Sequence, residues 1–349
     1  MFPFRDGFTY PRNAWYVAAW SSEITRTLCE RRILGEPVVM FRTVGGTAVA
    51  LDGRCPHRRF PLANGKLVGD EIECAYHGFT FDAGGACTRI PSTDRIQPGM
   101  RVAAYPLVER WNWVWIWMGD AEKADPALIP DHNTDLGLER NDMTAQVGGY
   151  LHVRCRHQLL HENILDLTHL AFIHAATLGS PQVARGPVTI ASDDRTVRMT
   201  RFTEDEQPTQ FYVDTLGLRG NIDREHVTTF FAPALHVVAV RVVEREAQRR
   251  SFMHHGIHAI TPESPNSSHY FFASSRTYGR DDDVIGQKLR DGFYSAFVED
   301  VVVLEVQEAM IANDGDRPRL ELSVKADEGA LRSRRVMDGL MAAERMVAV

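Results

Sequence analysis

The chain has 349 residues, enough for two domains of ordinary size, and its 44% hydrophobic and 24% charged content is that of an ordinary globular protein. A net charge of −7 and a pI near 6.1 offer no basic surface to nucleic acid or to an anionic membrane, and no apolar run approaches the ~20 residues of a membrane span. Met1-Phe-Pro-Phe-Arg5-Asp6 lacks the build of a signal peptide and five cysteines form no paired framework, so a reducing, cytoplasmic setting is expected.

Residues 14–118 read as short strands separated by turns. Ala14-Trp15-Tyr16-Val17-Ala18, Pro37-Val38-Val39-Met40-Phe41 and Ala48-Val49-Ala50-Leu51 are rich in β-branched and aromatic side chains. Cys55-Pro56-His57 follows. A turn at Gly69-Asp70 then separates Lys66-Leu67-Val68 from Glu71-Ile72-Glu73, a hairpin that delivers Cys74-Ala75-Tyr76-His77. A second hairpin turns at Ala83-Gly84-Gly85. The spacing is C-x-H and then C-x2-H, with sixteen residues between.

Two thiolates and two imidazoles can close one metal site. A structural zinc takes two Cys and two His in a tetrahedron. A [2Fe–2S] centre with a Cys pair on one iron and a His pair on the other has the same ligand count. The spacing favours the cluster, because within each pair the Cys and His serve different irons and a tight turn can straddle the two-metal unit. Cys29, Cys87 and Cys155 read as buried apolar residues.

Trp111-Asn112-Trp113-Val114-Trp115-Ile116-Trp117 carries a tryptophan at every second position, so in one strand all four face one side. A packed sheet face is expected there rather than a ligand-stacking platform. Gly119-Asp120 and the stretch from Ala124 to Pro130 end the pattern with turn residues. The expected division is a first domain at 1–120, a linker at 121–145 and a second domain at 146–349.

The second half opens with a strand at Gly148 to Val153 and turns helical from His157 to Ile173. Strands are then expected at Val188–Ala191, Val197–Thr200, Phe211–Val213, His226–Phe231, Leu235–Val243, Gly256–Thr261 and His269–Ser274, making a largely antiparallel sheet. Helical patterns return from Asp281 to Ile311 and from Glu328 to Arg345. The fold class expected is α+β.

Asn163, Asp166 and His169 recur every three residues, stacking on one side of the expected helix among apolar neighbours. His169 and His174 lie about 140° apart at ~100° per residue, so they share a metal only if the helix ends or bulges between them. Two satisfied core histidines are the plain alternative. Non-haem Fe(II) takes two His and one acid. Ile285, Leu289, Phe293, Phe297 and Leu304 form an apolar stripe in the later helix, and Asp300 fills its missing slot. An acid there is costly unless paired or metal-bound. Glu299 and Glu305 fall off the stripe and are expected in solvent.

Cys55-Pro-His57-Arg58 and Cys74-Ala-Tyr-His77-Gly-Phe-Thr-Phe-Asp82, followed by Gly84-Gly85 and Ile90-Pro91, resemble the Rieske family. With Asp166-x2-His169-x4-His174 downstream, the chain resembles the α-subunits of Rieske non-haem iron oxygenases. Arg12 to Ala18, Ile260-Thr261-Pro262-Glu263 and Leu331 to Val336 resemble the vanillate O-demethylase oxygenase branch, near which dicamba O-demethylase also belongs. The resemblance implies a Rieske β-domain followed by a helix-grip catalytic domain. It implies that Cys55 and Cys74 bind one cluster iron and His57 and His77 the other, while His169, His174 and Asp300 hold a mononuclear Fe(II). Asp166, beside Asn163, becomes the bridge through which the His77 of a neighbouring subunit's cluster passes electrons to His169, in a homotrimer.

The implied activity is a monooxygenase using O2 on a small aromatic, by O-demethylation of a vanillate-like acid. Ring dihydroxylation, or hydroxylation of a methyl or N-methyl group, uses the same metal centres. No Gly-rich fingerprint for flavin or NAD is present, so NAD(P)H acts through a separate reductase or ferredoxin. His236 and His258, each among apolar strand residues, read either as core histidines or as hydrogen-bonding groups of the substrate pocket. The resemblance makes both candidates for substrate contact.

Overall fold

The computed structural model describes residues 10–175, 177–245, 249–314 and 321–347. Contacts divide it into two compact units. One spans Arg12–Ile129 with Thr261–Ser264, and the other spans Pro130–Ile260 and the chain from Pro265, with the segment ending at Pro11.

The first unit is all β apart from single 3-10 turns. Its strands are β1 (Trp15–Trp20), β2 (Cys29–Ile33), β3 (Glu36–Arg42), β4 (Ala48–Asp52), β5 (Lys66–Val68), β6 (Glu71–Glu73), β7 (Thr80–Phe81), β8 (Cys87–Arg89), β9 (Leu107–Arg110) and β10 (Trp113–Trp117). They form three sheets, ordered β1-β10-β9, β2-β3-β4 and β5-β6-β7-β8. β10 runs between β1 and β9, and all five of its residues are buried. A strand covered on both faces needs apolar side chains at every position, which Trp113-Val114-Trp115-Ile116-Trp117 supplies; each buried Val or Ile contributes about 1.5–3 kcal/mol. Trp111 is not on this face. It sits in the turn before β10 at φ 55° and lies edge-on to Trp113 with 5.5 Å between ring centroids. Of the three cysteines expected in the core, Cys87 and Cys155 are buried and Cys29 is partly exposed.

The second unit holds β11 (Thr144–Val153), α1 (His157–Leu165), α2 (Pro181–Arg185), β12 (Val188–Ser192), β13 (Thr196–Glu206), α3 (Gln210–Leu216), β14 (Ile222–Phe231), β15 (Leu235–Glu244), β16 (Ser251–Ser264), β17 (Ser267–Arg276), α4 (Asp283–Asn313) and α5 (Glu328–Val347). Its seven strands form one sheet, ordered β11-β17-β16-β15-β14-β13-β12. The register aligns His226, Val240 and His254 across β14, β15 and β16, then Thr228, Val238 and Gly256, then Phe230, His236 and His258. Helices α1 and α4 lie on this face. His161 meets His236, Phe293 meets His254 and Phe297 meets His258 at 5.0, 5.9 and 4.9 Å between centroids.

Two expectations are corrected here. Phe211-Tyr212-Val213 is helical, not a strand. Gln210 bonds Asp214 one turn on, Gly217 closes α3 at φ 67°, and Phe211 packs on Phe293 of α4. Three β-favouring residues are too short a run to outweigh a C-cap and a packing partner. The expected helix from His157 to Ile173 breaks at Asp166, whose φ −110° and ψ 91° are extended, and resumes as a 3-10 helix over Leu167–Ala171. No described helix is long and apolar enough to cross a membrane.

Candidate active site

In the first unit, two loops of the same design hold the Cys-His pairs. The Cys55 amide donates to the Phe60 carbonyl and the Arg59 amide to the Cys55 carbonyl. Cys74 repeats both bonds with Phe79 and Gly78. The fifth residue of each loop takes positive φ, 57° at Arg59 and 72° at Gly78. Both cysteines are buried, while His57 is partly exposed and His77 exposed. The two imidazoles meet edge-on at 4.6 Å, and His57 stacks on Phe79 at 4.7 Å.

Burial pushes the Cys55 thiol up to about 11, and the adjoining Cys74 adds to the rise. Two neighbouring buried thiols become thiolates only against a bound cation. The His57 Nδ1 is buried with no partner among the described residues. Paired sulfurs inside, paired imidazoles outside and an orphaned ring nitrogen fit a [2Fe–2S] group.

In the second unit, the end of α1 at Asp166 lets His169 and His174 turn toward one point. His169 Nε2 lies 3.5 Å, and His174 Nε2 3.1 Å, from Asp300 Oδ1. The three ligand atoms lie within 4.8 Å of one another. Each imidazole donates through its other nitrogen, His169 Nδ1 to the Asp166 carbonyl at 2.5 Å and His174 Nδ1 to Glu299 Oε2 at 2.7 Å. Those bonds fix the tautomer that leaves both Nε2 lone pairs toward Asp300. Asn163 Nδ2 donates to Asp300 Oδ1 at 3.1 Å and holds the carboxylate in place.

Burial holds the His169 imidazole below its ordinary pKa. Burial also opposes protonation of His174, but the Asp300 and Glu299 carboxylates outweigh it and its pKa is raised. Two carboxylates around two histidines therefore call for a positive charge, and this donor set fits a divalent iron.

Asp166 behaves differently from expectation. Its carboxylate accepts from Thr168 N and Thr168 Oγ1, both at 2.9 Å, and only its backbone carbonyl reaches His169. Glu299 and Glu305 are not simply solvated: the first orients His174, and the second pairs with Arg154 at 2.7 Å. Glu299 was missed because its partner lies 125 residues away. Glu299→Gln is expected to lower iron affinity by about 10- to 100-fold, read as earlier iron loss in a chelator titration. Parent-like retention would remove Glu299 from the site.

Beside the triad lies a cavity of about 90 Å³. Val238, Val240 and Gly256 of the sheet face Phe293, Ala296 and Phe297 of α4 across it. A Cβ at Gly256 would come within 3.2 Å of His258 Nε2, so glycine makes room for that imidazole. His258 lines the cavity, and its Nδ1 is hydrogen-bonded to the Tyr270 hydroxyl at 2.6 Å. The structure does not bring His236 to the cavity. Its Nε2 meets His161 Nδ1 at 2.7 Å and its ring stacks on Phe230, so packing under α1 takes the ring that strand alternation alone left open. His226, His254 and Arg224 also line the cavity and were not expected there. Arg224 is ion-paired with Glu206 at 2.6 Å, both fully buried.

Residues 14–106 match the Rieske [2Fe-2S] domain, and residues 153–343 match the vanillate O-demethylase oxygenase C-terminal domain. The iron-sulfur subunit of the toluene-4-sulfonate monooxygenase system of Comamonas testosteroni is 34% identical over 95% of this chain and 97% of its own length. The oxygenase component of dicamba O-demethylase from Stenotrophomonas maltophilia is 34% identical over 95% and 98%. Dicamba monooxygenase bound to 3,6-dichlorosalicylic acid is similar at a TM-score of 0.89 and 33% identity, over 97% of this chain and 99% of that one. Its structure with non-heme iron and dicamba gives 0.81 and 31%, over the same shares. With both domain families matched and the relatives aligned over nearly the whole length, this chain belongs to the vanillate O-demethylase-type oxygenase components of Rieske non-haem iron monooxygenases, which carry a [2Fe–2S] cluster and a mononuclear iron.

Proposed function

We propose that the chain is the terminal oxygenase of a monooxygenase that O-demethylates a methoxy-aromatic acid. In this reading Cys55 and Cys74 hold one cluster iron, His57 and His77 the other, and His169, His174 and Asp300 the mononuclear iron. The observation that carries it is the convergence of three ligand atoms, within 4.8 Å of one another, on the wall of an aromatic-lined cavity. An electron carrier would have no use for that convergence. The dicamba and vanillate relatives support the reaction, since both are O-demethylases.

As an oxygenase component the chain takes electrons from a separate reductase, and a cytoplasmic location gives that reductase access to NAD(P)H. When bound, the mononuclear iron supplies O2 activation for attack on a substrate C–H bond. The balance is ArOCH3 + O2 + 2e− + 2H+ → ArOH + HCHO + H2O. Hydroxylation of the methoxy carbon gives a hemiacetal, which collapses to phenol and formaldehyde. Phe293 and Phe297 hold the ring and exclude water, His258 offers one hydrogen-bonding nitrogen, and Asn163 keeps the Asp300 carboxylate turned to the triad.

The division into a cluster domain at 1–120, a linker at 121–145 and a catalytic domain at 146–349 belongs to the same proposal. So does a homotrimer, in which a neighbouring subunit's cluster delivers electrons near Asp166. The half-buried carboxylate of Asp166, on the 3-10 helix that carries His169, supports it.

The reconstituted holoenzyme, with reductase and NADH, is expected to release formaldehyde and a phenol in equal amounts from at least one member of a methoxybenzoate panel. Iron and acid-labile sulfide are measured on the same sample. A ring diol or hydroxymethyl product without formaldehyde, from protein full in both metals, would replace demethylation by the hydroxylation alternatives.

A further inference from the structure

His226 of β14 and His254 of β16 stand on the same sheet face, one on each side of Val240 of β15. Both are 4% exposed, both line the cavity, and the Nδ1 of each is buried with no partner among the described residues. Buried imidazole nitrogens normally find partners. Two unmet ones, side by side on one cavity wall, mark the place of a ligand group. They lie at the end of the cavity away from the triad. His254 is four residues along β16 from His258, about 13 Å at ~3.3 Å per residue, with Gly256 between them.

We propose that His226 and His254 form the receptor for the acid group of the aromatic substrate, a reading that rests on the demethylase function above. The ring then lies over Gly256, and the acid points away from the iron. Two imidazole N–H donors match the two oxygens of a carboxylate. The nearby cation gives no free charge to an anion: Arg224 is committed to Glu206 at 2.6 Å and to Ser180 Oγ at 3.0 Å. Positive charge for a buried acid must therefore arise on the histidines themselves.

The surroundings make that charge conditional. Burial first, then Arg224, His254 and Arg201, hold His226 well below its ordinary pKa. Burial, His255 and Arg224 lower His254 to about 3. The other titratable groups close by are Glu206, paired with Arg224, and the Tyr212 and Tyr278 rings, at 6.0 and 6.4 Å from the His254 ring. With the site empty at neutral pH both imidazoles are uncharged. An arriving carboxylate raises their pKa, so binding takes up a proton, and that uptake diminishes as pH rises above the bound-state pKa.

The test is calorimetry on the holoenzyme without reductase, using 3-methoxybenzoate and its neutral counterpart 3-methoxybenzyl alcohol, in buffers of different ionisation enthalpy. The parent enzyme is expected to bind the benzoate with proton uptake and the alcohol without it. His254→Phe and His226→Leu should weaken benzoate binding by about 10- to 100-fold, the range for a hydrogen bond to a charged group, and change alcohol binding less than about threefold. His254→Asn, which keeps a donor, should recover part of the loss without restoring full uptake. Equal losses for both probes would mean mere packing damage and overturn the proposal. A parent that demethylates the benzoate while both variants keep its affinity overturns this proposal alone; a parent that binds neither probe overturns the demethylase reading with it.

Discussion

Asp300→Ala is expected to release the mononuclear iron, cut turnover by more than about a hundredfold and leave the visible spectrum of the cluster unchanged. A hundredfold is the upper range for losing an outer partner of a ligand, and a ligand should exceed it. Asp300 is 7% exposed on the buried stripe of α4, where a carboxylate without a positive partner is costly. Its oxygen lies within reach of Asn163, His169 and His174 only through the geometry described above. Alanine removes the buried charge, so the fold should persist, and thermal unfolding should confirm it. Metal analysis decides the matter. Loss of cluster and mononuclear iron together would mark Asp300 as a structural acid.

Asp166→Asn is expected to keep both metal sites full and lose about a hundredfold or more in coupled turnover. Asparagine can still accept from the Thr168 amide, so the 3-10 helix carrying His169 retains its cap. The His169 Nδ1 bond is to the main-chain carbonyl and survives the substitution. What disappears is the negative charge beside the His169 ligand, where the proposed trimer passes electrons between subunits. Rapid mixing of pre-reduced protein with substrate and O2 locates the defect: cluster oxidation and product formation should both slow, because an electron of the turnover still has to come from the neighbouring cluster. Parent-like steady-state turnover would remove Asp166 from that route.

The neutral histidines of the cavity illustrate how little of a pocket is local. His226 and His254 are 28 positions apart in the chain and face the same space only because three antiparallel strands fall into one register. A one-residue slip would turn either ring to the other face. His236 shares that face and was equally plausible from its apolar neighbours, but α1 lies over it and His161 takes its nitrogen.

The sequence by itself determined the metal chemistry and the broad architecture. Tight Cys-His spacing is a local property, as is the acid that interrupts the α4 stripe, because one turn of chain or one helix face contains all the information. Tertiary structure decided what depends on distant partners. It broke the first helix at Asp166, made Phe211-Tyr212-Val213 helical against α4, and joined Glu299 to His174 and Glu305 to Arg154. It also chose which histidines meet the cavity, since a side chain's partner across the core is set by the packing of whole elements and not by its neighbours in the chain.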